Sequence, residues 1–79
     1  MVQLCTPAMV IDILAAKVGV PANTPNIDMA TWEDLGVDSL GLSETFASIS
    51  LLLGIDIPHE EALHTANVQD LVSLVNAQF

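Results

Sequence analysis

The chain has 79 residues, which suffices for one small domain, placed here at residues 1–79, and is too few to support a large enclosed active site. Its 52% hydrophobic content excludes a disordered tail. A count of 10 acidic residues against 1 basic residue gives a formal charge of -9. Such a charge disfavours binding to nucleic acid or to an anionic membrane and favours protein partners with basic patches.

Cysteine and histidine usage argues against a disulfide or a metal site. Cys5 is the single cysteine, and it has no evident base nearby, so we interpret it as a partly buried structural thiol. His59 and His64 have no third ligand at metal spacing.

Residues 1–7 lack the basic start and long apolar stretch of a secretory signal, and no run is long enough to span a membrane. We therefore expect a cytoplasmic protein.

The first half of the chain predicts one helix and one long loop. Apolar residues recur at three- and four-residue intervals over Pro7–Val18, and Gly19 follows as a helix end. Residues 20–30 contain two prolines and no sustained period, which is typical of an ordered loop. We expect Ile27 and Met29 to anchor this loop in the core.

The second half predicts three more helices. Asp38 is a good cap for a helix over Ser39–Leu53, a short helix follows at His59–Leu63, and Asn67 begins the last one. The side chains expected to face the interior are Leu42, Phe46, Ile49, Leu53, Val68, Leu71, Val72 and Val75. The predicted fold is therefore all-α, a four-helix bundle with three principal helices, one short helix and a long first loop.

A short motif stands where the loop meets the second helix. The segment Leu35-Gly36-Val37-Asp38-Ser39-Leu40 resembles the modification site of acyl carrier proteins, and the resemblance extends from about Trp32 to Val75. It implies that Ser39 receives a covalent 4′-phosphopantetheine arm from coenzyme A, with Asp38 capping the helix and helping to position the arm. It implies no catalytic residue, and hence a carrier that is not an enzyme.

The position of Ser39 suits that chemistry independently of the resemblance. A serine in the first turn of a helix lies beside unpaired backbone amides and the positive end of the helix dipole, which favour a phosphodiester. Asp and Ser also cap helices in every fold. The alternative is thus an unmodified helical module whose acidic face binds a basic partner. A small serine hydrolase is disfavoured, because neither histidine is placed to activate the hydroxyl.

The resemblance also implies the partners. They are a phosphopantetheinyl transferase, a ketosynthase, an acyltransferase and other synthase enzymes with basic docking patches, contacted by a monomer through Leu40 and Glu44. The second helix departs from many fatty acid carriers, since Glu44 is its only acidic residue. A run of three leucines at 51–53 cannot point wholly inward on a helix. We therefore expect recognition to depend more on apolar contacts.

The segment over residues 32–45 most resembles discrete carriers of bacterial type II polyketide synthases, with an aromatic residue, an acidic pair and a Glu-Thr at those positions. A carrier of fatty acid synthesis, or a domain of a multidomain synthase, remains the alternative. A peptidyl carrier is disfavoured, because that family usually has glycine-rich sequence ahead of the serine, where this chain has Val37 and Asp38.

Overall fold

Helices dominate the part of the chain that the computed structural model describes, residues 4–78. Within it the elements are α1 (Pro7–Ile13), a π-helical extension of α1 (Leu14–Val18), α2 (Ser39–Leu53), α3 (His59–Leu63) and α4 (Val68–Asn76). No strand longer than an isolated bridge occurs among these residues. The predicted all-α, four-helix fold is confirmed; residues 1–3 and Phe79, which the predicted domain includes, lie outside the described range.

The last turn of α1 is wider than an α-helix. The Gly19 amide donates to the Leu14 carbonyl at 2.9 Å, five residues back, which is the hydrogen bond of a π-helix. Gly19 then adopts a φ of 82°, a left-handed conformation that glycine reaches without steric cost. The helix thus ends at Val18, as the sequence predicts, although the change of helix type was not expected.

The core lies between α1, α2 and α4, with α3 packed across α2 and α4. The predicted interior residues are buried, apart from Leu53, which is partly buried against the core. Val10, Leu14, Ile49, Val68, Leu71 and Val75 are among the side chains with essentially no exposed surface. The helical spacing of apolar residues thus identified the buried faces of α2 and α4 correctly.

The long loop before α2 is held by backbone hydrogen bonds to the start of α4 and by the buried side chain of Ile27. The Gln69 amide donates to the Asp28 carbonyl at 3.1 Å, and Thr31 forms an isolated antiparallel bridge with Asn67. Ile27 is buried, as predicted, but Met29 is 59% exposed. The expectation that Met29 anchors the loop is therefore wrong: backbone bonds hold this stretch, so its side chain is free to face solvent.

Candidate functional site

Ser39 is the first residue of α2, and its side chain is exposed. Asp38 precedes it with extended backbone angles, and the Asp38 carboxylate accepts from the Gly41 amide at 2.8 Å. The Asp38 carbonyl accepts from the Leu42 amide at 2.9 Å, which closes the first helical turn. The predicted cap is thus present, and it fixes the backbone that carries the Ser39 hydroxyl.

The start of α2 retains hydrogen-bonding capacity for an added group. Within residues 4–78, the amides of Ser39 and Leu40 have no acceptor, and the Ser39 hydroxyl has no hydrogen-bond partner in the chain. These amides stand at the positive end of a 15-residue helix. An exposed hydroxyl beside two free amides fits a phosphodiester on Ser39, because the phosphate oxygens need donors and the positive end of the dipole favours their charge.

The turn before α2 is rigidly anchored. Gly36 has a φ of 74°, and the Val37 amide donates to the Trp32 carbonyl at 2.8 Å. The side chains of Trp32 and Val37 are buried, and the Trp32 indole Nε1–H donates to the Thr65 hydroxyl at 3.1 Å. Trp32 therefore anchors the entrance to α2. The buried side chains of Trp32 and Val37 thus fix the turn that precedes Ser39, whereas the Ser39 side chain is exposed to solvent.

Two residues in the first turns of α2 were assigned no role from sequence. Gly41 is buried, and a Cβ placed there would lie 3.3 Å from Asp38 Oδ1 and 3.4 Å from Val18 Cγ1. The lack of a side chain therefore lets the cap and the end of α1 approach the same point. Thr45 is fully buried, and its hydroxyl donates to the Gly41 carbonyl at 2.8 Å. Gly41 is important for packing because Val18, at the end of α1, approaches it closely, and the sequence does not reveal this approach.

The two residues predicted to contact partners are both on the solvent side of α2. Leu40 is 68% exposed and Glu44 is exposed, whereas Leu42 between them is buried. Leu40 therefore lies on the surface and does not pack in the core. Together with Ser39 and Asp38 they form one continuous exposed area at the start of α2.

Cys5 lies away from solvent at the other end of the chain. Its side chain is 3% exposed, and burial raises the pKa of its thiol above the ordinary value of 9.0. The Cys5 backbone amide donates to Asn76 Oδ1 at 2.9 Å, and Asn76 Nδ2 donates to the Cys5 carbonyl at 3.1 Å, so the side chain of Asn76 fixes Cys5 to the end of α4. This thiol is therefore more deeply buried than the sequence suggested, and its surroundings disfavour the reactive thiolate.

Both histidines are exposed, and His59 also packs against an aromatic ring. His59 is exposed and stands edge-on to the Phe46 ring, with 5.2 Å between ring centroids, while His64 is exposed. In the described part of the chain, no three His, Cys, Asp or Glu side chains form a group that could hold a metal ion. Over the same residues there is no open pocket, and no helix has the length and apolar character needed to span a bilayer.

Comparisons with known proteins identify the family of the chain. The family described as "Phosphopantetheine attachment site" matches residues 9–75. An acyl carrier protein of Rickettsia bellii (strain OSU 85-389) is 38% identical over 66 residues, covering 84% of this chain and 82% of the relative. The holo acyl carrier protein for actinorhodin from S. coelicolor superimposes with a TM-score of 0.80 at 28% identity, covering 99% of this chain and 94% of its own.

A malonyl carrier protein from the actinorhodin polyketide synthase of Streptomyces coelicolor superimposes with a TM-score of 0.85 at 27% identity, over the same shares of both chains. The family match spans most of the chain. Each relative described above is a carrier protein, and the match covers 82% or more of that relative's own length. The chain therefore belongs to the acyl carrier proteins of the phosphopantetheine attachment family, which carry cargo on a covalently attached phosphopantetheine group and are not enzymes.

Proposed function

We propose that this chain is a single carrier domain of a type II polyketide synthase that bears its phosphopantetheine arm on Ser39. This attachment site is supported by the exposed Ser39 hydroxyl at the first position of α2. Within residues 4–78, the neighbouring backbone amides of Ser39 and Leu40 have no acceptor. The thiol of the arm, when attached, supplies the thioester that holds an acyl group activated for transfer. The chain's own thiol, Cys5, is buried and does not serve that purpose.

The loading step is a phosphoryl transfer to Ser39 catalysed by a separate transferase. The Ser39 oxygen forms a bond to the phosphorus next to the pantetheine of coenzyme A and loses its proton to the transferase. The bond from that phosphorus to the bridging oxygen breaks, and adenosine 3′,5′-bisphosphate leaves. In this step Asp38 holds the first turn of α2, so that the hydroxyl and the free amides of Ser39 and Leu40 face the incoming group.

The choice of polyketide cargo is supported by the solved structures that the chain resembles. Carriers of the actinorhodin polyketide synthase, each covering 99% of this chain, have been determined in malonyl, 3-oxo-butyl and 3,5-dioxohexyl forms. The two oxo forms are mimics of intermediates of that polyketide synthase, so carriers of this fold hold polyketide cargo there. The competing assignment, a carrier of fatty acid synthesis, is equally compatible with the Rickettsia relatives, whose names state only an acyl carrier protein.

Synthase enzymes and the modifying transferase are the partners of such a carrier, and the surface at the start of α2 is where we place their contact. Leu40 supplies exposed apolar surface, while Glu33, Asp34, Asp38 and Glu44 supply exposed negative charge around Ser39. This charge attracts basic patches on a transferase, a ketosynthase or an acyltransferase and raises the rate of encounter. The carrier works as a monomer in the cytoplasm, where thiols remain reduced.

The attachment site is tested by loading serine variants. Wild type, Ser39→Ala and Ser43→Ala are incubated with coenzyme A and a broad-specificity phosphopantetheinyl transferase, and their intact masses are measured. Ser43 lies one helical turn further along α2 and is the matched control. We expect one pantetheine addition on wild type and on Ser43→Ala, and none on Ser39→Ala with unchanged circular dichroism. Loading of Ser39→Ala contradicts the assignment, and a folded wild type that is never loaded favours the unmodified interaction module.

The cargo class is tested on the protein isolated from cells that make it. The mass of the acyl group released from the arm distinguishes the two pathways, because an unreduced polyketide retains a ketone on alternate carbons and a fatty acyl chain does not. Oxo-acyl masses support a polyketide carrier. Saturated acyl chains alone reassign the chain to fatty acid synthesis without affecting the role of Ser39.

A further inference from the structure

The C-terminal end of α2 exposes two adjacent leucines that the fold does not use. Leu51 is 86% exposed and Leu52 is 64% exposed, and they are called the leucine pair below. Their neighbour Leu53 is partly buried and packs on the core, after which Gly54 ends the helix. Because successive helical residues are turned by about 100°, only one of three consecutive side chains can reach the core here. Burial in this fold therefore does not explain leucine at 51 and 52.

One member of the leucine pair, Leu51, lies on the exposed face of α2 that begins at Leu40, the residue after Ser39. Residues 40, 44, 47 and 51 share one face of α2 by helical spacing, and all four are exposed. At 1.5 Å per residue, Leu51 lies about 18 Å along the helix from Ser39. A partner that receives the arm at Ser39 and also covers the leucine pair must therefore contact the whole length of α2.

Charge distinguishes between the possible occupants of this surface. A second copy of the chain, like an anionic bilayer, would meet a formal charge of -9 with further negative charge. The exposed carboxylates of Glu44 and Asp56 lie before and after the leucine pair in sequence, and the single basic residue, Lys17, is on the π-helical extension of α1. The leucine pair is thus an apolar surface on a strongly acidic chain, and its complement is an apolar pocket on a basic surface.

We propose that the leucine pair is a second anchor that inserts into such a pocket on the ketosynthase, while the Ser39 end of α2 delivers the arm. This inference rests on the proposed function, since it takes the partner to be the enzyme that extends the cargo. The acidic residues speed encounter, and the leucines slow dissociation, because apolar contacts buried at an interface are not screened by salt.

The test compares binding of fully loaded carriers to the ketosynthase of the actinorhodin polyketide synthase. The proteins are wild type, the double variant Leu51→Gln/Leu52→Gln, and Met29→Gln. Glutamine has nearly the helix propensity of leucine and adds no charge, so α2 should persist. Met29 is an exposed apolar side chain in the loop before α2 and is the matched control. Loading of each protein is completed and verified by intact mass beforehand, which keeps failure of the proposed function separate from failure of this inference.

We expect the double variant to bind on the order of 10- to 100-fold more weakly, through faster dissociation that persists at high salt, with Met29→Gln like wild type. Equal affinity of wild type and the double variant overturns the proposal, as does an equal loss in Met29→Gln. Sedimentation of the wild type and its binding to phosphatidylcholine vesicles complete the test. Self-association or vesicle binding that is abolished in the double variant would assign the leucine pair to a second copy or to a lipid surface, and would also overturn it.

Discussion

Replacing Asp38 by alanine removes the cap of α2 and tests how the chain holds its attachment site. In the folded chain the Asp38 carboxylate accepts from the Gly41 amide at 2.8 Å. Loss of such a cap costs about 1 kcal/mol, and loss of a negative charge at the start of a helix adds about 0.3–1 kcal/mol. Asp38→Asn keeps an oxygen acceptor at the same place and removes only the charge. We therefore expect a loss of about 1–2 kcal/mol for alanine and less than about 1 kcal/mol for asparagine.

The assay is thermal unfolding at neutral pH, followed by circular dichroism. For a domain of this size, 1 kcal/mol corresponds to a shift of about 4–8 °C in Tm. The alanine variant should therefore melt roughly 4–16 °C below wild type, and the asparagine variant less than about 8 °C below it. If both variants lose the same stability, charge and not the hydrogen bond holds the turn. If alanine melts together with wild type, the cap contributes nothing, and the account of how Ser39 is positioned is wrong.

Three further changes test other parts of the structure. Trp32→Phe removes the indole donor to the Thr65 hydroxyl and should lower the free energy of unfolding, measured by denaturant titration, by about 1 kcal/mol. Unchanged stability would show that this bond does not anchor the loop. Gly54→Ala places a Cβ at a φ of 66° with no atom nearby, so it should cost about 1 kcal/mol, with Gly54→Asn costing less; an alanine variant as stable as wild type would contradict a left-handed helix end. In the loaded protein, a thiol reagent should modify the arm at once and Cys5 only after unfolding, since burial raises the pKa of the Cys5 thiol; two equally fast thiols would refute that burial. Because this pKa is raised in the folded chain, the contribution of Cys5 to the free energy of unfolding should be constant below pH 9.0 and should fall as the pH rises above it.

Local chemistry explains why so much of the fold could be predicted from the sequence. Asp38 and Asn67 cap their helices by accepting from amides three residues ahead, at 2.8 and 2.9 Å, and Gly19 and Gly54 end helices with positive φ. These outcomes depend on side chains within a few residues of each boundary. The apolar periods of α2 and α4 likewise need no knowledge of what packs against them.

The features that the sequence did not predict depend on distant contacts. Met29 is exposed because backbone bonds from α4 hold its loop, and the π-helical turn at the end of α1 has no marker in the sequence. The role of Gly41 depends on Val18 approaching it from another helix. For the candidate site, the motif located Ser39 and its cap, and the sequence indicated that the leucines at 51–53 cannot all face inward. Which of these leucines face solvent had to be observed in the structure.

The position of the arm in the wild-type chain is the decisive measurement. The protein is loaded from coenzyme A by a phosphopantetheinyl transferase, digested, and mapped by tandem mass spectrometry. The account predicts a single pantetheine addition, found only on the peptide that contains Ser39. Addition at any other residue, or no addition to a chain that circular dichroism shows to be folded, would contradict it.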